Sequence, residues 1–194
     1  MSKAGTKKQL TQLYCDTYIS AATLGDFKLC IHLSKSGNFD YNYIQTKYGD
    51  HIINFAALIG DVDTFNKSFD VLASEGQLKT SSTLLHLLCN AAHSGNMNII
   101  EKIVGSADQF SDYKDKIYNF TSALRYASED GHAKVVDFLI SNGAKPNDWH
   151  VLKWSADKAP GNTYRRILKA NGLEPKASRK KIKDFCDKLF KEMF

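Results

Sequence analysis

The chain has little that would break or lock its backbone. Three prolines in 194 residues leave room for long uninterrupted helical stretches. The four cysteines, Cys15, Cys30, Cys89 and Cys186, lie far apart with no CxxC pair. Scattered in this way, the thiols read as reduced, half-buried side chains of a cytosolic protein. No apolar run approaches the roughly 20 residues needed to cross a bilayer. The start, Met1 to Lys8, is basic but has no apolar core after it, so no cleaved secretory leader is expected. Catalytic signatures are missing as well: GxSxG, GxxxxGK[ST], HExxH and GxGxxG do not occur. Carboxylates such as Asp61/Asp63 and Asp112/Asp115 are scattered rather than gathered. The expectation is a cytoplasmic non-enzyme with no cofactor, no metal and no small-molecule substrate.

What is present is an ordinary globular composition, 43% hydrophobic and 24% charged, which excludes disorder for the bulk of the chain. The charge is unevenly placed. Residues 1–144 carry 13 basic and 15 acidic side chains, a net −2, whereas residues 145–194 carry 13 and 6, a net +7. A basic quarter can mark an acidic ligand, either nucleic acid or an anionic membrane, or it can be a solvated lysine-rich end.

The strongest signal is a repeat. A box of two small residues, two others, glycine and a polar residue runs Ala21-Ala-Thr-Leu-Gly25-Asp26, then Ala56-Ala-Leu-Ile-Gly60-Asp61. It returns as Ala91-Ala-His-Ser-Gly95-Asn96 and as Ala127-Ser-Glu-Asp-Gly131-His132. The glycines are 35, 35 and 36 residues apart, a period that points to stacked supersecondary units. Helical periodicity flanks each box. After Gly131, for example, Val135, Val136, Leu139 and Ile140 share one helix face before Gly143. The small pair is placed where one helix must approach its neighbour closely. The glycine is placed where the chain reverses between antiparallel helices and needs a positive φ.

These segments resemble ankyrin repeats, whose unit is about 33 residues with a TPLHxA-type helix start. Ser122–Ala144 is the best match, and His51-Ile-Ile-Asn-Phe-Ala-Ala57 and Thr83-Leu-Leu-His-Leu-Leu88 are similar to the helix start. The resemblance implies an all-α solenoid of about five helix-turn-helix units, near 11–37, 45–74, 80–107, 118–145 and 148–175. The array would span 1–177, with 178–194 a basic amphipathic capping helix. Unit three has three extra residues before Gly95, which predicts a longer first helix. The short joint between units four and five predicts no projecting hairpin there.

At the ends, a first helix is expected over 7–20 with Leu10, Leu13, Tyr14 and Tyr18 inward. A last helix is expected from an N-cap at Ser178 to about Met193, with Ile182, Phe185, Cys186, Leu189, Phe190 and Met193 on one stripe. His86, Cys89 and His93 fall at i, i+3 and i+7, a helical spacing that can present three metal ligands. His86, however, sits at the repeat's own histidine position, so no metal is expected.

By the same resemblance, partners bind at hairpin tips and along the exposed side of each first helix. That carries over to Tyr43, Tyr48, Asp50, Leu58, Tyr118, Asn119, Glu129 and Trp149. Aromatic side chains there would supply rigid contact area. The implied function is a protein-binding adaptor. Proteins of this kind and size occur in eukaryotes, viruses and intracellular bacteria, so a host-directed effector acting in host cytoplasm is one role it would cover. The alternative is an acidic-ligand binder acting through the basic C-terminal quarter, and both nucleic acid and membrane rank behind a protein partner.

Overall fold

The computed structural model describes residues 3–24, 26–40, 51–74, 81–106, 116–174 and 176–193. Among them every regular element is helical, and no strand occurs. The chain divides into two compact units, 1–77 and 78–194.

The first unit holds two helix pairs. The first pair is α1 (Lys3–Leu24) with α2 (Phe27–Ser34), and the second is α3 (His51–Ile59) with α4 (Val62–Ser74). Cys15, Tyr18, Ala21, Ala22, Cys30, Leu33, Phe39 and Ile52 form a buried cluster, with Tyr14, Ile19, Phe55 and Ile59 packed against it. Tyr18 and Phe39 meet with ring centroids 5.1 Å apart. The inward placement of Tyr14 and Tyr18 holds, but that of Leu10 and Leu13 does not, since they are 39% and 61% exposed. The buried stripe of α1 is centred on Tyr18. Leu13, five positions away, is rotated about 140° from it at about 100° per residue.

The second unit is built from three pairs and a final helix. The pairs are α5 (Ser81–Ser94) with α6 (Met97–Gly105), α7 (Lys116–Asp130) with α8 (Ala133–Ser141), and α9 (Trp149–Lys158) with α10 (Gly161–Ala170). The final helix is α11 (Arg179–Met193). First helices pack side by side, α5 on α7 and α7 on α9, and second helices do the same, α6 on α8 and α8 on α10. The helix α11 takes the next place beside α9. As its extra residues predict, α5 is 14 residues long, against nine for α3.

The repeated box explains this regularity atom by atom. Its small residues Ala91, Ala92, Ala127 and Ser128 are fully buried, and Ser155 and Ala156 occupy the same place in α9 at 1% exposure. In three of the four boxes the residue after the glycine bonds back five positions to the first alanine, while in the third Gly95 N–H bonds to Ala91. Asp26 N–H donates to the Ala21 carbonyl, Asp61 N–H to Ala56 and His132 N–H to Ala127, each at 2.9 Å. This 6→1 bond satisfies a carbonyl that the helix end would otherwise leave open. The same polar residue then opens the second helix. Asp26 Oδ1 accepts from Leu29 N–H at 3.1 Å, and Asn96 Oδ1 from Asn98 and Ile99 N–H. Asp61, buried, accepts from both Thr64 N–H and the Thr64 hydroxyl.

Two of the glycines carry a second burden. Gly95 and Gly131 have φ of 69° and 83°. The His132 ring lies against Gly95, where a Cβ would come within 2.3 Å of Nδ1. Pro160 lies against Gly131 in the same way, at 3.0 Å. Each loop is therefore seated on the preceding box. His132 Nε2–H also donates to the His93 carbonyl at 2.9 Å, and the Thr163 hydroxyl to the Ser128 carbonyl at 3.0 Å.

The short joint after Gly143 is tied down rather than projecting. Lys145 N–H donates to Thr121 Oγ1 at 2.9 Å, and the Asn171 amide donates to the Pro146 carbonyl at 2.9 Å. At the C-terminal end Ser178 Oγ accepts from Lys181 N–H, the expected cap of α11. Ile182 and Cys186 are buried beneath it, whereas Phe185 is 46% exposed. Arg179 closes the C-terminus of α9, donating to the carbonyls of Ser155, Ala156 and Ala159. Its guanidinium lies 4.8 Å from the Tyr164 ring centroid. A cation on the open carbonyls of a helix end is favourable both as a hydrogen-bond donor and against the helix dipole.

Gly95→Ala should lower stability by more than roughly 2 kcal/mol, because it combines a left-handed φ with a ring collision. Gly37→Ala, where a Cβ meets nothing within 4 Å, is the control and should change the urea midpoint little. Arg179→Ala should cost about 2 kcal/mol through lost charge-assisted bonds, and limited proteolysis should then release α11 before any other segment.

Candidate partner-binding face

In α5, α7 and α9, burying the small pair on one side turns the residues just before it outward. On α5 the outward stripe is His86, Cys89, Asn90 and His93. On α7 it is Ser122, Arg125, Tyr126 and Glu129, and on α9 it is His150, Lys153, Trp154 and Lys158. Each stripe follows helical spacing opposite a buried one: Leu87, Leu88, Ala91 and Ala92; Ala123, Leu124, Ala127 and Ser128; Val151, Leu152, Ser155 and Ala156.

The stripes join into a ladder of rings and cations across the three helices. His93 stacks on Tyr126 at 4.6 Å between centroids. The Arg125 guanidinium carbon lies 4.5 Å from the Tyr126 centroid and 5.3 Å from that of Trp154. Lys158 Nζ follows, 4.2 Å from the Trp154 centroid. A hydrogen bond and a longer ion pair brace the ladder from the box side. His93 Nδ1 pairs with Asp130 Oδ2 at 2.5 Å, and Lys158 lies 3.6 Å from Glu129 Oε1. Two recesses flank Arg125. One, about 370 Å³, is lined by Leu85, His86, Cys89, Asn90, Ser122 and Tyr126 among others. The other, about 170 Å³, is lined by Thr121, Ser122, Asp148, His150 and Val151.

Several expected site residues are placed differently. Tyr43, Tyr48 and Asp50 lie outside the described residues. Tyr118 and Asn119 fall on α7 rather than on a hairpin tip, because that helix begins at Lys116. Nothing is described of the Tyr118 side chain. Asn119 is 1% exposed, since it lies four and eight positions before Ala123 and Ala127 on the inward stripe, so it offers no surface to a partner. Leu58 is half-buried on α3, in the other unit. Glu129 and Trp149 are half-buried at the face or its edge. Trp149, the first residue of α9, stacks on His150 at 3.7 Å.

Tyr126, Arg125 and Trp154 were not among the expected residues. The signal for them was available, since each stands one or two positions before a small-residue pair.

His86, Cys89 and His93 line one recess, but among the described residues no three His, Cys, Asp or Glu side chains converge as a metal site would require. Burial pushes the Cys89 thiol up to about 12, only partly countered by Arg125. Burial pushes Cys30 up to about 11, with the nearby Asp26 and Asp61 charges adding to it.

The ankyrin-repeat family model matches residues 119–150, from α7 through α8 to the start of α9. That unit carries the Arg125–Tyr126 rung. No curated protein and no solved structure matches the chain. Ankyrin repeats generally serve as non-enzymatic modules that bind other proteins. Among the described residues no helix is long and apolar enough to cross a membrane.

Because both thiols are raised, iodoacetamide at pH 8 should leave Cys30 and Cys89 of the folded chain unmodified and label them only on unfolding. Folded-state values above the unfolded thiol value also fix the sign of a stability change. Their contribution is complete below about pH 9 and is lost as pH rises from 9 toward 12. A urea midpoint that falls over that range checks it.

Proposed function

We propose that the chain is a non-catalytic protein-binding module that captures its partner on the face formed by α5, α7 and α9. The observation that carries this reading is the ladder His93–Tyr126–Arg125–Trp154–Lys158, which spans three successive first helices. Aromatic and arginine side chains fixed by mutual stacking dominate protein interfaces, because they lose little freedom on binding and cover much area. The ankyrin match over 119–150 supports the same reading, since it falls on the unit at the centre of the face. An adaptor in a cell's own cytoplasm and a host-directed effector would use this face alike. Trp149 and Glu129 belong at its rim. Tyr43, Tyr48, Asp50, Leu58 and Tyr118 remain proposals for further contact.

The acidic-ligand alternative draws less support. Part of the C-terminal positive charge is engaged within the protein. Arg179 holds α9 carbonyls, Lys153 pairs with Asp187, Lys183 with Asp157 and Arg166 with Asp137.

Replacing Tyr126 and Trp154 together with alanine should weaken partner capture by at least about 30-fold, the loss of a typical hot spot. Thermal unfolding should change little, because both side chains face outward. Undiminished capture by this variant would exclude the face as the binding surface.

A further inference from the structure

We propose that Arg125 is the recognition point of this face and that it takes the carboxylate of an acidic side chain presented by the partner. The inference rests on the protein-binding reading and adds the chemistry of what is bound.

Arg125 stands on α7, the middle helix, and lines both recesses. Its guanidinium is held against Tyr126 and Trp154, so its donor fork is oriented before any partner arrives. Such a planar fork matches a carboxylate with two parallel bonds. Among the described residues Arg125 has no carboxylate within ion-pair distance, whereas Lys153, Lys158, Lys183 and Arg166 each have one. Its Nε–H is buried and without an acceptor, so the group is incompletely satisfied by the protein alone.

Two acids of the face are engaged, since Asp130 holds His93 and Asp148 accepts from His150 and Val151 N–H at the start of α9. Glu129 lies 3.6 Å from Lys158, with its buried Oε1 accepting no hydrogen bond. At the centre the Arg125 guanidinium stands between the two recesses with no carboxylate in ion-pair reach among the described residues. A single carboxylate suits that arrangement. A nucleic-acid strand does not, because it needs a row of cations along its phosphates and would meet Glu129, Asp130 and Asp148 here.

The test selects random displayed dodecapeptides on the intact chain. Enriched peptides are then titrated against the wild type, Arg125→Gln, Arg125→Lys and the Tyr126→Ala/Trp154→Ala pair. The expected result is an acidic residue shared by the selected peptides. Changing it to its amide should weaken binding by about tenfold or more, as much as Arg125→Gln does, with the two changes together no worse than either. Arg125→Lys keeps the charge and loses the fork, so it should recover only part of the affinity. The amide peptide leaves the protein untouched, so the comparison stands even where a substitution at 125 perturbs folding. Peptides that depend on Tyr126 and Trp154 but share no acid, or bind Arg125→Gln equally well, overturn this inference and leave the protein-binding reading intact. No peptide that depends on those two rings overturns both. An oligothymidylate that binds with Arg125 dependence, in place of any acidic consensus, would turn the site over to nucleic acid.

Discussion

How closely one helix can approach the next governs everything else in this chain. At Ala91–Ala92, Ala127–Ser128 and Ser155–Ala156 no side chain reaches beyond its first heavy atom past Cα or carries more than a hydroxyl there, and all six residues are buried. That close approach lets the box glycine turn the chain and lets the next loop seat itself on that glycine, His132 on Gly95 and Pro160 on Gly131. Larger residues at the pair would force the helices apart, and overpacking of this kind is as damaging as a cavity. The ladder on α5, α7 and α9 is a geometric consequence. In those helices the pair points inward, and residues one and two positions earlier, rotated by about 100° and 200°, point out. Asn90, Tyr126 and Trp154 therefore line up because Ala91, Ala127 and Ser155 do.

The same logic decides what could be read from sequence. The period, the positive-φ glycines at 60, 95 and 131, the cap at Ser178 and the longer α5 were all legible, because each depends on local stereochemistry that a residue type reveals directly. The all-α class followed from them. Leu10 and Leu13 were misplaced because an apolar residue near the buried stripe of a long helix looks like part of it. Only the rotation relative to Tyr18 separates them. Asn119 was misplaced for a related reason. A polar residue just before a helix start reads as loop, but α7 begins earlier and carries it to the inward side. The exposed side of the first helices was expected, but its named residues Leu58 and Glu129 follow the small pair, whereas the rings of this face stand one position before it. The stacking of Arg125 between rings on two helices depends on neighbours 28 residues apart in Tyr126 and Trp154, which no local pattern displays.

The uneven charge can now be assigned physical roles. A stack of repeats ends in an exposed apolar side, and α11 covers that of α9 with Ile182 and Cys186. The cap must also be held in register, and its basic residues contribute there. Arg179 closes the open carbonyls of α9, while Lys183 and Asp187 reach Asp157 and Lys153 of the same helix. Lys153 holds Asp187 below the usual carboxylate range through their hydrogen bond. Exposed pairs of this sort are each worth little in free energy, but several between the same two helices select one docking arrangement over its neighbours.

This division of labour separates the two kinds of cation in the chain. At the C-terminal end Lys153, Lys158, Arg166, Arg179 and Lys183 meet acids or carbonyls of the protein itself, so the count of 13 basic residues there overstates the charge left for an acidic ligand. Arg125 lies in a segment whose net charge is −2, where composition alone would not direct attention. It is nevertheless a cation that rings on two helices hold in place and that, among the described residues, no carboxylate meets. Recognition follows from unmet, oriented charge rather than from total charge, because only an unpaired group gains a new bond without first breaking an old one. On that criterion the middle first helix, rather than the basic tail, is the proposed point of recognition.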